Sequence, residues 1–242
     1  MLFKLYPIGP IVAVLGLVAT LAAVVAPVAP AIAYNATTPH AGKYLDNWME
    51  YGHKRLDGYW SPILARSAKK PALPSPGFSW INQTGGTQTG CGVISLDDAP
   101  NQDAFYCEDD RVLYFNADFL KAVDSDFGWP GVEAVVAHEY GHHLQKVLHI
   151  GGTTFELEQQ ADCLSGSAMS RIFGPTEKTK VDVDQMKALF NMLGDDKDHG
   201  DAGHGLGAQR VIAFMRGWNG DTAWSPKGNS FYNLCDLPLL WL

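Results

Sequence analysis

The chain has 242 residues, of which 46% are hydrophobic, and it carries a formal net charge of −8 at pH 7. This length is typical of one medium-sized domain with an additional segment. The acidic balance argues against nucleic acid as a partner and against binding to an anionic membrane surface, because both repel a negatively charged protein.

The first part of the chain has the features of a targeting segment. Lys4 is its only charged side chain, an apolar run over residues 11–25 follows, and Ala31 and Ala33 form a small-x-small cleavage site before Tyr34. The apolar run is shorter than the ~20 residues of a usual membrane-spanning helix. We predict a cleaved signal peptide over residues 1–33, with an uncleaved membrane anchor as the alternative, and a domain over residues 34–242. Either way the domain is exported, and is secreted or held on the outer face of the cytoplasmic membrane.

The apolar pattern then predicts a mainly helical domain with few strands. Helical spacing covers residues 41–66, and β-forming residues predict short strands at 78–82 and 111–115. A helix beginning at Trp129 and Pro130 ends near residue 151. Thr153 and Glu156 fit a capping box for the next helix, which extends to about residue 173, and two more helices are predicted near 183–193 and 206–218. The predicted fold class is therefore α+β, with a short β-sheet.

Four cysteines lie after the predicted cleavage site: Cys91, Cys107, Cys163 and Cys235. An even number of cysteines in an exported chain predicts two disulfides, and four cysteines allow three pairings. No two of them are in CxxC spacing, which argues against a structural zinc knuckle.

The sequence HEYGH at residues 138–142 matches the HExxH motif and lies inside a predicted helix. Residues four apart lie about 40° from each other around a helix and ~6 Å along it, so the His138 and His142 imidazoles face the same way. Both can therefore reach one Zn²⁺ at ~2.0–2.1 Å. Glu139 is expected beside the ion, where it can act as the general base that accepts a proton from water.

A catalytic zinc site needs a third protein ligand and an open fourth position. Glu158 and Asp162 are four residues apart on the next predicted helix, so they share a face. We predict that Glu158 completes the metal site and that Asp162 accepts a hydrogen bond from a ligand histidine. Glu156 is the competing carboxylate, but the capping box already accounts for it.

Two further expectations concern the substrate. His204 is a candidate for stabilising an oxyanion, as is Arg210, although a structural role is an open alternative for both. The strand over residues 111–115 is expected to align a peptide substrate by adding it as an extra strand.

Several short segments occur in a fixed order between Cys91 and Cys235: CG at 91–92, FYC at 105–107, HEYGHH at 138–143, EQQADC at 158–163, residues 199–210, and GWNGD at 217–221. Over this span the chain resembles the bacterial neutral zinc metallopeptidase family. The resemblance implies a small zincin-like domain in which His138, His142 and Glu158 bind zinc and Glu139 is catalytic. It also implies a thermolysin-like use of ExxxD for the third ligand. Glu108 and the DLP segment at 236–238 depart from the family pattern.

The predicted function is zinc-dependent hydrolysis of peptide bonds in a protein or peptide substrate, with Zn²⁺ as the cofactor. No nucleic-acid partner is expected, and the membrane is contacted only through the N-terminal segment if that segment stays uncleaved. One alternative is a non-catalytic, zinc-stabilised binding or scaffold protein of the cell envelope. The other is a zinc amidase that acts on cell-wall peptide.

Overall fold

The structure, a computed structural model, describes residues 43–66, 72–96, 103–172, 180–198, 200–220 and residue 235. The predicted signal segment over residues 1–33 lies outside the described residues. Among the helices that are described, none combines the length and apolar character needed to cross a bilayer.

The fold is α+β and mainly helical, as predicted. The helices are α1 (Lys43–Ala65), α2 (Ala117–Val147), α3 (Thr154–Ile172), α4 (Lys180–Met192) and α5 (Gly207–Gly220), with a 3₁₀ turn at Gly200–Ala202. The strands are β1 (Gly77–Ile81), β2 (Thr87–Thr89), β3 (Gly92–Ile94), β4 (Ala104–Cys107) and β5 (Val112–Asn116).

The sheet has three strands in the order β1-β5-β4, with β1 parallel and β4 antiparallel to β5, while β2 and β3 form a separate hairpin. Every residue of β5 is buried. The prediction that the strand over residues 111–115 receives a substrate strand is therefore wrong, because both edges of β5 are already paired. The strand order depends on long-range pairing, which the local sequence pattern does not contain. Of the strands that the structure describes, β4 is the outermost on this side of the sheet.

Helix α1 lies against the centre of the domain. Its buried apolar residues recur at helical spacing, and they join the aromatic core formed by residues from the sheet and from α2. The α1 residues are Leu45, Met49, Leu56, Trp60 and Leu64, and the core aromatics include Trp80, Phe115 and Tyr140. This core fixes α2 against the sheet.

Helix α2 is interrupted near its middle. Gly128 has φ +65°, a left-handed conformation that favours glycine, and Pro130 lies in the first turn that follows. The helix start predicted at Trp129 corresponds to this break. The structure adds an earlier helical segment directly after β5, where Asn116 is the N-cap and accepts a hydrogen bond from the Asp118 amide at 3.0 Å.

Helix α3 is held between α2 and α5 by close backbone approaches at glycine. A Cβ atom on Gly166 would overlap the carbonyl oxygen of Phe214 in α5, and one on Gly217 would overlap the carbonyl oxygen of Cys163 in α3. On the other side, a Cβ on Gly141 would lie 3.0 Å from the Cα of Ala161. These glycines let the three helices pack closely, and α3 consequently lies within side-chain reach of the HExxH residues on α2.

Both predicted disulfides are present. Cys91 is bonded to Cys107, and Cys163 in α3 is bonded to Cys235. The structure thus selects one of the three pairings that the sequence left open. Two disulfides are typical of an extracellular or periplasmic location, since the cytosol keeps thiols reduced.

Candidate metal centre

The three predicted ligand side chains meet between α2 and α3. The Nε2 atoms of His138 and His142 are 3.3 Å apart, and the Glu158 carboxylate lies across from both. Its Oε2 is 3.2 Å from His138 Nε2, and its Oε1 is 3.3 Å from His142 Nε2. Within the described part of the chain, these three side chains form a group that can hold one metal ion.

The donor set fits zinc. Ligands of a tetrahedral zinc ion lie ~2.0–2.2 Å from it, so neighbouring donor atoms are about 3.3–3.5 Å apart. The observed separations of 3.2 and 3.3 Å between the nitrogen and oxygen atoms agree with that spacing. Two imidazoles and one carboxylate are also the ligand types of a catalytic zinc site with an open position. Glu156, the competing carboxylate, instead makes the capping box: its Oε2 accepts from the Thr153 amide at 2.8 Å.

The outer face of His138 is held by a charged pair. Its Nδ1 is 2.8 Å from Asp162 Oδ1, and the Asp162 carboxylate also accepts from Arg210 Nη2 at 2.8 Å and Nε at 2.9 Å. Arg210 is 5% exposed and donates its third bond to the Leu193 carbonyl at 3.1 Å. The Asp162 carboxylate thus lies within hydrogen-bond distance of a predicted ligand histidine. Arg210, weighed as an oxyanion candidate, is committed to Asp162 by two hydrogen bonds.

The outer face of His142 is held by a residue that the sequence prediction missed. Gln145 Oε1 lies 2.9 Å from His142 Nδ1, and Gln145 is buried. Its Nε2 donates to the Leu157 carbonyl at 2.7 Å and to Gln160 Oε1 at 3.1 Å. The signal that could have found Gln145 is its position three residues after His142, which puts it on the same helix face.

The electrostatics of the centre favour a bound cation. Burial acts to lower the pKa of His138, but the carboxylates of Asp162 and Glu158 outweigh it and raise that pKa to about 10. The pKa of Glu158 is lowered, because hydrogen bonds from both imidazoles outweigh the burial that would raise it. Without a metal, these carboxylates hold a proton on His138; a metal ion can supply that positive charge instead.

Glu139 lies next to the three donors and is 7% exposed. Burial raises the pKa of its carboxyl, and the neighbouring positive charges of the imidazoles and Arg210 only partly offset this effect. A carboxylate with a raised pKa is a stronger base than one in water, which suits a general base.

A cavity of about 840 Å³ opens beside the donors. Glu139, His142 and Glu158 line it, together with Asp103, Ala104, Phe105 and Tyr106 at β4 and with His204. His204 has an exposed side chain, and its Nδ1 is 3.4 Å from Asp195 Oδ1. The oxyanion role of His204 stays a prediction.

His143, the residue after the motif, has a structural environment. It is fully buried, its Nε2 donates to the Pro74 carbonyl at 2.8 Å, and its Nδ1 accepts from the Tyr106 hydroxyl at 3.2 Å. Burial is the main cause that lowers its pKa to about 4. His143 thereby links α2 to β4, the strand that lines the cavity.

The chain is similar to known proteins over part of its length. The family described as "Putative neutral zinc metallopeptidase" matches residues 57–170. An uncharacterised protein of Mycobacterium tuberculosis is 34% identical over 126 residues, which are 46% of this chain and 39% of the relative. The uncharacterised protein YpfJ of Escherichia coli K12 is 29% identical over 168 residues, 57% of each chain. The match thus covers less than two thirds of either relative. No solved structure matches the chain.

Proposed function

We propose that the chain, which matches the family described as "Putative neutral zinc metallopeptidase" over residues 57–170, hydrolyses peptide bonds in protein or peptide substrates. His138, His142 and Glu158 would hold the zinc ion, and Glu139 would be the catalytic base. The observation that supports this proposal most strongly is the convergence of two imidazoles and one carboxylate, 3.2 to 3.3 Å apart, at the edge of an open cavity.

A zinc ion held by these three residues would supply Lewis-acid chemistry, polarising the scissile carbonyl and lowering the pKa of water to about 7. Glu139 accepts the proton of the attacking water and returns it to the leaving amine. Asp162 holds the Nδ1 proton of His138, so that the Nε2 lone pair points toward the metal position.

The substrate would lie along β4. Asp103, Ala104, Phe105 and Tyr106 line the cavity, and among the described strands β4 pairs only with β5. A peptide in extended conformation can add to a free strand edge through main-chain hydrogen bonds. This position replaces β5 in the role that the sequence had suggested for it.

The arrangement also bears on the non-catalytic alternative. A structural zinc site is usually closed by four protein ligands, whereas a catalytic site has three and an open position. Among the described residues the group comprises three ligands, and the buried Glu139 lies beside them. A scaffold protein has no use for a buried base at this position.

Localisation and partners follow from the same proposal. The disulfides are consistent with an exported enzyme, secreted or held on the outer face of the cytoplasmic membrane by the N-terminal segment. The negative net charge argues against nucleic acid as a partner.

The test compares the wild-type protein with Glu139→Gln, both purified from an oxidising compartment. We expect both to bind one zinc ion, but only the wild type to cleave casein, because glutamine cannot accept the proton. Glu156→Gln is the matched control, since glutamine can also complete a capping box. Equal cleavage by wild type and Glu139→Gln would refute the assigned mechanism.

The same experiment separates the alternatives when purified cell-wall fragments are included as a second substrate. Cleavage of the fragments without cleavage of casein would favour the zinc amidase. Zinc binding without cleavage of either substrate would favour the non-catalytic scaffold.

A further inference from the structure

We propose that Gln145 is the positioning residue for His142, and that the Cys163–Cys235 disulfide sets the orientation of Gln145 through Gln160. The inference rests on the proposed zinc site and extends it to residues that neither the motifs nor the family match assign. It concerns how the site is held in shape and adds no step to the reaction.

The polarity of the chain of hydrogen bonds is fixed at the Gln145 amide. Its nitrogen faces the Leu157 carbonyl at 2.7 Å, and a carbonyl can only accept a hydrogen bond. The amide oxygen must therefore face His142 Nδ1 at 2.9 Å. An amide oxygen only accepts, so the proton of the neutral His142 ring is on Nδ1 and the lone pair is on Nε2.

That tautomer is the one the metal site requires. His142 Nε2 is the atom that lies 3.3 Å from both His138 Nε2 and Glu158 Oε1. Gln145 thus does for His142 what Asp162 does for His138: it keeps the metal-facing nitrogen unprotonated and prevents the ring from rotating.

A second glutamine continues the chain away from the site. The other amide hydrogen of Gln145 is donated to Gln160 Oε1 at 3.1 Å. Gln160 then presents its nitrogen to the Cys235 carbonyl, 2.9 Å away. Each glutamine has one orientation that satisfies both neighbours, because backbone carbonyls are the acceptors at Leu157 and at Cys235.

The Cys163–Cys235 disulfide anchors the far end of this series of hydrogen bonds. Cys235 is bonded to Cys163, which lies in α3 three residues after Gln160 and directly after Asp162. The Cys235 carbonyl is consequently tethered to the same helix that carries Glu158. Loss of the disulfide frees the acceptor of Gln160, and Gln160 and Gln145 can then rotate away from the orientation that His142 needs.

The first test measures zinc affinity by competition with a chromophoric chelator and the visible absorption of the cobalt-substituted protein. Gln145→Leu should weaken zinc binding about 10–100-fold, as loss of an outer hydrogen-bond partner does, and should change the cobalt spectrum. Gln145→Glu keeps an acceptor for His142 Nδ1, so zinc affinity should stay within about threefold of the wild type. Rescue by glutamate separates positioning of His142 from mere packing, because both variants lose the bonds to Leu157 and Gln160.

The second test addresses the disulfide. Gln160→Leu, and the double variant Cys163→Ala with Cys235→Ala, should each weaken zinc binding by a smaller factor, up to about 10-fold. Gln159→Leu is the matched control on α3, because Gln159 donates to the His204 carbonyl and has no bond to Gln145. The double variant Cys91→Ala with Cys107→Ala controls for loss of a disulfide elsewhere.

The outcomes are distinguishable. Wild-type zinc affinity and an unchanged cobalt spectrum in Gln145→Leu would overturn the inference while the proposed function stands. Wild-type zinc affinity in Gln160→Leu would show that the Cys163–Cys235 disulfide does not act on His142 through Gln160. If the wild-type protein itself binds no zinc, the proposed function fails and the inference fails with it. If Gln145→Leu or the Cys163/Cys235 double variant fails to fold, Gln145→Glu and Gln160→Leu remain as tests. Weak zinc binding by Gln145→Glu would refute the role of Gln145.

Discussion

His138 and His142 lie one helical turn apart on α2, and they are held from behind by partners of opposite character. Behind His138 is an ion pair, Asp162 with Arg210, both of them buried. Behind His142 is a neutral amide, Gln145, whose bonds lead to backbone carbonyls. The same imidazole tautomer can thus be fixed by a charged partner or by the direction of neutral hydrogen bonds alone. Substitutions on the two sides should therefore have different effects.

The largest effect on zinc affinity is expected at Glu158, which faces both imidazoles. Glu158 lies 3.2 to 3.3 Å from each imidazole, so Glu158→Ala removes a ligand common to His138 and His142. Zinc affinity should fall by more than the roughly 100-fold upper range for an outer partner. A chelator competition measures it, with Glu156→Ala, which affects only the helix cap, as the control. Full affinity in Glu158→Ala would show that the third ligand is assigned wrongly.

The next effect separates the two sides. Asp162→Ala leaves the Arg210 guanidinium buried without its carboxylate, which should cost ~3–5 kcal/mol in the free energy of unfolding. Gln145→Leu removes the partner of an imidazole N–H, of the Leu157 carbonyl and of the Gln160 amide oxygen, all of them uncharged groups, and should cost about 1–3 kcal/mol. Denaturant unfolding of the metal-free proteins measures both. Equal losses of unfolding free energy in the two variants would contradict the contrast between the charged partner of His138 and the neutral partner of His142. Replacing Asp162 and Arg210 together by apolar residues should recover part of the stability but none of the zinc affinity.

A smaller effect is expected where the two helices meet. A methyl group on Gly141 would lie 3.0 Å from Ala161 Cα, so Gly141→Ala should push α3 away from α2. We expect a loss of about 1–3 kcal/mol in stability together with weaker zinc binding, since Glu158 moves with α3. Gly58→Ala in α1 is the control: a Cβ there meets nothing within 4 Å, and alanine favours a helix by up to ~1 kcal/mol over glycine. Unchanged zinc affinity in Gly141→Ala would show that helix spacing does not limit the site.

The smallest effect is expected at the start of α3. Thr153 Oγ1 accepts from the Glu156 amide at 3.3 Å, and Thr153→Ala should destabilise the protein by about 1 kcal/mol. Zinc affinity should not change, because the cap at Thr153 is not part of the group formed by His138, His142 and Glu158. Thermal unfolding with and without zinc measures the two quantities separately, and a variant that loses zinc affinity would contradict the independence of cap and site.

The positions that the sequence could predict are those that residue spacing along a single helix determines. His138 and His142 share a face because they are four residues apart, and the same holds for Glu158 and Asp162 on the following helix. The α+β class and the presence of two disulfides are confirmed, and each of the five described α-helices overlaps a predicted one. These features depend on local periodicity, caps and cysteine number.

Other features depend on contacts between distant segments. The role of Gln145 required knowing that the Leu157 carbonyl and Gln160 face it from another helix. The fixed position of Arg210 required its contact with Asp162 across 48 residues. The central place of β5 and the cysteine pairing likewise arise only when separate parts of the chain meet. Local patterns do not determine such contacts.

The proposed function requires that two imidazoles from α2 and one carboxylate from α3 bind a single zinc ion. X-ray absorption at the zinc edge tests this requirement on protein purified from an oxidising compartment and loaded with one equivalent of zinc. We expect two imidazole nitrogens and a carboxylate oxygen at ~2.0–2.2 Å, with the oxygen signal reduced in Glu158→Ala. Sulfur in the first coordination shell, or a spectrum identical in wild type and Glu158→Ala, would contradict it.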